Sequence, residues 1–215
     1  MRLVFASNNA HKLREVREIL GCGMTEGDKS VVNGDKSVVS GGRSIEVLSL
    51  NDIGFQGDID ETGKTLEENS AIKAHAVWNY VRKIRGIDGV FADDTGLEIC
   101  ALGGKPGVYT ARWAGEPAND VNNRQKALRE LAGVKDRSAR FRTVITLIMN
   151  GKEMQVEGVV NGSIAETESG VGGFGYDPLF VPEGFDKTFA CLTEEEKNAI
   201  SHRGRAVRAL LEKIK

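Results

Sequence analysis

The chain has 215 residues, of which 40% are hydrophobic and 28% are charged, so it is long enough for one large domain, 1–215, with a substantial core. Its formal net charge of −2 gives no general attraction to nucleic acid, and an anionic ligand therefore needs a local group of basic residues or a metal ion. Three cysteines without a CxxC spacing argue against a disulfide framework and a zinc knot. The apolar run at the N-terminus is too short for a signal peptide or a membrane span, so the expected location is cytoplasmic.

The first half of the chain alternates between predicted strands and helices. A short buried strand is predicted over 2–6, and a helix over 9–20 follows with Asn9 as its N-cap. A second strand is predicted over 44–50, and a long helix with apolar residues near one face over 66–85.

Two short strands are predicted next, over 90–93 and 97–101, on either side of the sequence DTG. A helix over 119–131 follows, and two long strands over 139–149 and 153–163 flank the turn NGKE. Early alternation and later paired strands together indicate an α/β protein with a mixed sheet, bent into two lobes around a cleft.

The last part of the chain, from position 192, is predicted to be helical. Thr193 and Glu196 have the spacing of a capping box, and a helix break is predicted at Gly204.

Two consecutive seven-residue segments, GDKSVVN and GDKSVVS, occupy 27–40. Two copies are too few for a solenoid, which needs several stacked units. We interpret 27–40 as a duplicated surface loop, or as a hairpin of two short Val-Val strands, without a catalytic role.

The sequence SNNAHK at 7–12 follows the first predicted strand and begins the first helix. Ser7, Asn8 and Asn9 offer side-chain donors, and Lys12 lies one turn into the helix. A helix start has free backbone N–H groups and a positive dipole end, so this stretch favours a phosphate group. A plain N-cap followed by a surface lysine would show the same pattern.

Acidic residues occur at two places that suit a cation. Glu61 precedes a Thr-Gly turn, and the adjacent Asp93 and Asp94 follow the apolar run VFA. Mg²⁺ prefers oxygen ligands and often takes one or two carboxylates together with substrate phosphates. The alternative is that one aspartate caps the DTG turn while the other is exposed. We expect one of the pair to cap this turn and the other to face the cleft. Lys73, further along the long helix, could point back toward the same site or into solvent, and solvent is the expected direction.

The segment GVGGFGYDP contains a GxGxxG pattern at Gly170, Gly172 and Gly175. A dinucleotide-binding fingerprint needs a helix directly after these glycines. Prolines at 178 and 182 make the following residues extended, so we reject that interpretation.

The same segment presents Phe174 and Tyr176 beside Asp177, a combination of aromatic rings and an acceptor that suits a nucleobase. A packed hairpin corner would have a similar composition. Further along the chain, three basic side chains add local positive charge: Lys197, His202 and Arg203. Together with the helix start and the carboxylates, these features are the components of a nucleoside triphosphate site.

The sequence resembles the inosine/xanthosine triphosphate pyrophosphatase family. The motifs that carry the resemblance run over essentially the whole chain in the family's order: SNNAHK, ETGKTLEENSAIKA, FADDTGLEICALGGKPGVYTAR, GGFGYDPLF and LTEEEKNAISHRG. The duplicated insertion within 22–43 is longer than the family usually carries there.

The resemblance implies an elongated α/β fold with a mixed central sheet flanked by helices, two lobes around a substrate cleft, and a homodimer. It also implies Mg²⁺-dependent hydrolysis of ITP, dITP or XTP to the nucleoside monophosphate and pyrophosphate. Glu61 and Asp94 match the metal-binding positions, and Asp94 matches the proposed general base. The substrate contacts match Ser7, Asn8, Asn9, Ala10, His11, Lys12, Thr95, Phe174, Gly175, Tyr176, Asp177, Lys197, His202 and Arg203.

Three rival functions use similar residue types. A nucleotide-binding regulatory module without catalysis would not need the acidic set at 61, 93 and 94, and a nucleic-acid-binding protein is disfavoured by the net charge of −2. A phosphatase that releases orthophosphate is separated from a pyrophosphatase only by the family resemblance. No membrane partner is expected.

Overall fold

The computed structural model describes residues 1–21, 39–40 and 43–214. In chain order its strands are Arg2–Phe5 (β1), Val39–Ser40 (β2), Arg43–Ser44 (β3), Glu46–Leu48 (β4), Gly89–Ile99 (β5), Lys105–Gly107 (β6), Ser138–Met149 (β7), Lys152–Ile164 (β8) and Phe180–Pro182 (β9). Its α-helices are Ala10–Ile19 (α1), Leu66–Val81 (α2), Asp120–Glu130 (α3), Glu194–Ile200 (α4) and His202–Lys213 (α5). The duplicated stretch 27–40 lies outside the described residues except for its last two, which form β2 and pair with β3.

The centre of the molecule is a seven-stranded sheet with the order β4-β1-β5-β7-β8-β9, to which β6 is added beside β5. The pairs β1–β4 and β1–β5 are parallel, and the remaining neighbours in this sheet are antiparallel. The sequence-based prediction of a mixed α/β sheet flanked by helices is therefore confirmed.

Helices cover both faces of the sheet, and the alternation of side chains along β5 shows which helices cover each face. Phe91 packs in a core with residues of α1 and α5, whereas Val90 and Ala92 pack in a different core with residues of α2. Successive side chains of a strand point to opposite faces. The odd-numbered positions of β5 in this region therefore face α1 and α5, and the even-numbered positions face α2.

A third apolar core lies at the far end of the long strands. Leu97 and Ile99 of β5 belong to it, together with residues of α3, β7 and β8. Between Ala92 and Leu97 the strand thus leaves the first two cores and enters the third. The polar sequence Asp-Asp-Thr-Gly occupies this passage.

Helix α5 is held very close to the sheet at Gly158 of β8. A Cβ atom at this position would lie 2.1 Å from the carbonyl oxygen of His202, at the start of α5. Only glycine permits this approach, so the sheet fixes where α5 begins.

The predicted N-cap of α1 and the predicted capping box of α4 are both confirmed. The side chain of Asn9 accepts hydrogen bonds from the backbone N–H groups of His11 and Lys12, and Thr193 and Glu196 form the predicted capping box. No helix within the described part of the chain has both the length and the apolar character needed to cross a membrane.

Several boundaries were predicted wrongly. Helix α2 ends at Val81 and not at position 85, and β4 covers only 46–48 of the strand predicted over 44–50. Residues 90–101 do not form two strands with a turn at DTG, because β5 continues through this sequence and pairs with β7 at every position from 89 to 99. The helix break near the C-terminus lies at Ser201 and not at Gly204, because Ser201 has an extended backbone and caps α5. Gly204 lies within the first turn of α5, where a Cβ atom would be 2.0 Å from the carbonyl oxygen of Asn198.

Candidate active site

The adjacent aspartates of β5 point to opposite faces of the sheet and bind different partners. Asp93 accepts hydrogen bonds from Lys12 of α1 and Arg203 of α5. Asp94 accepts hydrogen bonds from Lys73 and Asn69, both of α2. Neither aspartate caps a turn, because β5 continues through both positions, so the expectation that one of them does is wrong. Each carboxylate is compensated by cations from its own face.

Asp93 is an ionised anchor in a fully buried position. Its carboxylate lies 3.0 Å from Lys12 Nζ and 3.1 Å from Arg203 Nη2. Burial opposes the charged form, but Lys12 and Arg203 more than offset it and hold the pKa of Asp93 well below its usual range. Asp93 therefore stays negative at any physiological pH and fixes the positions of both cations.

Asp94 has a different electrostatic environment. Burial raises the pKa of Asp94, and Lys73 and Lys12 offset this effect only in part. A carboxylate with a raised pKa is a better proton acceptor near neutral pH than one held strongly ionised. Of the two aspartates, Asp94 is thus suited to be a general base.

Lys73 faces the site and not solvent, contrary to the sequence-based expectation. Its side chain is buried and its Nζ lies 3.0 Å from both Glu61 Oε1 and Asp94 Oδ1. Burial lowers the pKa of Lys73, but Asp94, Asp93 and Glu61 outweigh this effect and raise it overall. The ion pairs explain why α2 can carry a lysine on the face that packs against the sheet.

The position of Lys73 also tests whether the predicted metal pair can hold a cation. The carboxylates of Glu61 and Asp94 converge on one ammonium group, which shows that the two side chains reach a common point. Among the described residues, no group of three or more His, Cys, Asp or Glu side chains is arranged for a metal ion. Two carboxylates fit Mg²⁺ only where substrate phosphates and water supply the remaining oxygen ligands.

The start of α1 supplies the side chains of SNNAHK. Asn9 uses its side-chain oxygen to cap the helix, Ser7 Oγ accepts from the Asn9 N–H, and Asn8 donates to Asp58. Lys12 is not a surface lysine, because its side chain is mostly buried against Asp93. Burial lowers the pKa of Lys12, and the ion pair with Asp93 opposes that effect.

The Gly-rich segment forms a turn that carries one half-buried aromatic ring at the cavity wall. Phe174 stacks on His11 with ring centroids 5.3 Å apart and an interplanar angle of 17°. Tyr176 is different, because its ring is buried in the third core and its hydroxyl donates to the carbonyl oxygen of Thr110. Phe174 is therefore the ring of this segment that can stack on a base.

Asp177 fixes the backbone of this turn. Its Oδ2 accepts hydrogen bonds from the backbone N–H of Phe174 at 2.8 Å and from Lys197 Nζ at 2.6 Å. Gly173 has a φ of +70°, and a Cβ atom there would lie 2.1 Å from the same carboxylate oxygen. The close approach of Asp177 to the backbone depends on this glycine.

The start of α5 presents donors and a neutral ring. The first N–H groups of a helix have no partner within the helix, and none of the described residues accepts from the backbone N–H of His202 or Arg203. The ring of His202 stacks on Phe141 at 4.5 Å, and its Nδ1 is buried without a partner within the described part of the chain. Burial, reinforced by Arg203 and Lys197, keeps the pKa of His202 well below its usual value, so the ring is neutral.

Glu15 is a charged residue of the site that sequence reasoning missed. It is 2% exposed and lies on α1 between Lys197 of α4 and Arg203 of α5, both of which donate to its carboxylate. Burial raises its pKa, but Arg203 and Lys197 outweigh this and lower it overall. The available signal was its spacing of four residues from Ile19, which places it at the edge of the apolar side of the helix.

These elements enclose a cavity of about 730 Å³, a volume typical of small-molecule sites. Every residue that the family resemblance assigns to the site lines it except Ala10, and Asp93, the other candidate carboxylate, does not line it. The cavity is also lined by polar residues that sequence reasoning did not select: Asp58, Asp60, Thr62, Lys73, Thr110, Arg112, Glu116 and Asp120. These residues lie mainly in loops, where no periodic pattern indicates which side chains point inward.

The similarity to known proteins extends over nearly the whole chain. The profile of the Ham1 family matches residues 3–213. A protein of Flavobacterium johnsoniae named dITP/XTP pyrophosphatase is 47% identical over 212 residues, covering 99% of this chain and 97% of that protein. A protein of the same name from Clostridium perfringens is 44% identical over 218 residues, covering 100% of this chain and 97% of that protein.

Solved structures show the same fold. The structure of the Staphylococcus aureus Ham1 protein superposes with a TM-score of 0.79 at 34% identity and covers 100% of this chain and 98% of that one. A structure from Mycobacterium abscessus, described as a nucleoside-triphosphatase and dITP/XTP pyrophosphatase, has a TM-score of 0.71 at 37% identity, with 100% of both chains covered.

Proposed function

The chain belongs to the Ham1 family, and from this premise we propose that it hydrolyses non-standard purine nucleoside triphosphates such as ITP, dITP and XTP. The products are the nucleoside monophosphate and pyrophosphate. The observation that carries the proposal is the one cavity in which a carboxylate pair, lysines held in ion pairs and a half-buried phenylalanine ring meet. The names of the curated relatives support the same activity.

The phosphate groups are proposed to bind between α1 and α2. Lys12 and Lys73 lie there with their ammonium groups paired to Asp93 and Asp94, and the polar start of α1 is beside them. The positive charges offset the charge that builds up on the pyrophosphate leaving group. Glu61 and Asp94 would hold Mg²⁺, which would supply positive charge to offset that of the phosphate groups.

Asp94 is proposed to accept a proton from the water that attacks the α-phosphorus. Asn69 Nδ2 donates to one of its oxygens at 3.3 Å and Lys73 Nζ to the other at 3.0 Å, so the carboxylate is held in a fixed orientation. The bond between the α-phosphorus and the bridging oxygen breaks, and pyrophosphate leaves with that oxygen. Asp93 takes no part in the proton transfer, because it does not line the cavity and its ion pairs with Lys12 and Arg203 make it a weak proton acceptor.

Selection of the base is proposed to take place at the start of α5. Inosine and xanthosine have an oxygen acceptor at position 6, where adenine has an amino donor. The free N–H groups of His202 and Arg203 can donate to an oxygen but would face the amino group of adenine donor to donor. The guanidinium of Arg203 is less suited to this task, because it already donates to Asp93, Glu15 and Thr95.

Stacking is proposed to bind the base without selecting it. We expect Phe174→Leu to raise the KM for ITP by roughly 5- to 150-fold with a smaller change in kcat, because stacking of a base on an aromatic ring contributes about 1–3 kcal/mol. Steady-state kinetics with ITP measures both constants. Phe185→Leu is the matched control, since Phe185 is an exposed phenylalanine that does not line the cavity. An unchanged KM in the Phe174 variant would exclude the ring as the stacking surface.

We further propose a homodimer, a cytoplasmic location, and no nucleic-acid or membrane partner. The net charge of −2 supports the absence of a nucleic-acid partner.

The product assay tests the proposed reaction directly. With ITP and Mg²⁺ we expect IMP and pyrophosphate, and with ATP or GTP under the same conditions we expect little product. Omission of Mg²⁺ with added chelator should abolish turnover. IDP and orthophosphate as products would show a phosphatase instead, and binding of ITP without any turnover would show a regulatory module.

A further inference from the structure

We propose that Glu15 is a positioning residue that couples the base-binding half of the cavity to its phosphate-binding half. The inference rests on the proposed function, because it assigns a role within that site. Glu15 itself does not line the cavity.

Glu15 lies at the centre of a chain of six alternating charges. The links run from Lys12 to Asp93, Arg203, Glu15, Lys197 and finally Asp177. The bonds of Glu15 are the only ones in this chain of charges that join Arg203 to Lys197. Without Glu15, the charge series separates into two groups that no ion pair joins, and the remaining link is the Phe174 ring, whose centre lies 5.0 Å from Lys197 Nζ and 5.7 Å from the Arg203 guanidinium carbon.

The group on the Lys197 side positions the base-binding surface. Lys197 Nζ lies 2.6 Å from both Glu15 Oε1 and Asp177 Oδ2, and the same Asp177 oxygen holds the backbone N–H of Phe174. Lys197 Nζ also lies 5.0 Å from the centre of the Phe174 ring. Movement of Lys197 therefore moves the ring on which the base is proposed to stack.

The group on the Arg203 side positions the phosphate-binding residues and the start of α5. Arg203 joins Glu15 to Asp93, and Asp93 in turn holds Lys12. Arg203 is also the second residue of α5, whose free N–H groups are proposed to recognise position 6 of the base. Glu15 thus sets the distance between the stacking ring and the donors that distinguish inosine from adenosine.

The charge of Glu15 is required in addition to its shape. Arg203 and Lys197 are both buried, and without a negative group between them two like charges share a site shielded from water. Glutamine has the shape of glutamate, but it offers one acceptor oxygen in place of two and adds a donor facing a cation. Glu15→Gln should therefore release one of the two cations from its position.

The experiment compares the ratio of kcat/KM for ITP to kcat/KM for ATP in the wild type and in Glu15→Gln. We expect this ratio to fall by about 10-fold or more, the size expected for loss of one hydrogen bond between charged groups in a discriminating site. A residue that only stabilises the fold would lower Tm and reduce both activities together, leaving the ratio unchanged. An unchanged ratio in a folded variant overturns the proposal.

Glu18→Gln is the matched control. Glu18 lies three residues further along α1 and contacts α4 through Asn198 Nδ2, but it touches neither Lys197 nor Arg203. We expect its ratio to equal that of the wild type, and an equal fall in both variants would also overturn the proposal.

Glu15→Asp keeps the inference testable if Glu15→Gln does not fold. It retains the charge but is one methylene shorter, so it cannot span both cations at their present distances. We expect a ratio between those of the wild type and the glutamine variant, and an unchanged ratio in Glu15→Asp would count against coupling. The wild type is measured first, because failure of the wild type to cleave ITP refutes the proposed function and not the role of Glu15.

Discussion

Replacement of Asp94 by asparagine is expected to lower kcat for ITP by roughly 100-fold or more, because the variant cannot accept a proton from the attacking water. Asparagine has nearly the same shape, and Lys73 keeps its ion pair with Glu61. The fold should therefore persist while the chemistry is lost. The measurement is kcat for ITP at saturating Mg²⁺, with pyrophosphate release as the signal.

Asp88→Asn is the control for this experiment. Asp88 lies just before β5, is exposed, and accepts a hydrogen bond from the Arg2 N–H outside the cavity. We expect near-normal turnover from this variant. Near-normal turnover from Asp94→Asn would instead show that another group accepts the proton.

Replacement of Asp93 by asparagine is expected to lower the free energy of unfolding by about 3–5 kcal/mol, the usual cost of removing one partner from a buried ion pair. Lys12 and Arg203 would remain buried without the carboxylate that now contacts both of them. Such a loss is a large part of the stability of a typical domain, about 5–15 kcal/mol. Urea unfolding, with the midpoint and slope fitted together, measures it.

The neighbouring variant Asp94→Asn provides the comparison for stability. Asp94 has a raised pKa and Asp93 a lowered one, so the folded state gains stability from ionisation of Asp93 and not of Asp94. We expect the Asp93 variant to be clearly the less stable of the two. A loss of under about 1 kcal/mol, the value of an exposed ion pair, would show that water reaches the network.

The contribution of Asp93 should also depend on pH in a defined direction. Its folded-state pKa is lowered from an unfolded value near 3.8, so the unfolded state binds more protons between the two values. The stability difference between the wild type and Asp93→Asn should be constant above about pH 5 and should shrink as pH falls below the unfolded value. A difference that grows toward acid pH would contradict the assignment of Asp93 as the ionised anchor.

Local sequence signals identified the parts of this fold that depend on neighbouring residues. The cap at Asn9 and the capping box at Thr193 need only side chains within three residues, and both are present. The long strands 139–149 and 153–163 were also predicted almost to the residue, because their turn NGKE and their apolar content are local. The mixed sheet followed from the order of these elements.

The sequence around 93–96 misled the prediction because its composition is that of a turn. Asp, Thr and Gly favour turns when they stand alone. Here Lys12 and Arg203, which are 81 and 110 residues away from Asp93, compensate its charge, and β7 satisfies the backbone over the full length of β5. Contacts between residues so far apart in the chain override the local preference for a turn. Local sequence patterns do not show these contacts.

Glu15 and Lys73 were missed or misplaced for the same reason. Each is a long charged residue in a helix, and such residues usually face solvent. Their partners are far along the chain: Lys197 is 182 residues from Glu15, and Asp94 is 21 residues from Lys73. A charge on the apolar side of a helix signals a buried partner but does not identify it.

The opposed directions of Asp93 and Asp94 have a consequence for which changes of chain length this protein can accept. Loss or gain of one residue early in β5 would turn each carboxylate toward the helices of the other. Substitutions alter one partner at a time, whereas a change of length would alter both faces at once. We therefore expect related proteins to have no insertions or deletions in β5. Insertions and deletions should occur in connections that carry no site residue, such as the stretch between α1 and β4 that contains the repeated segments.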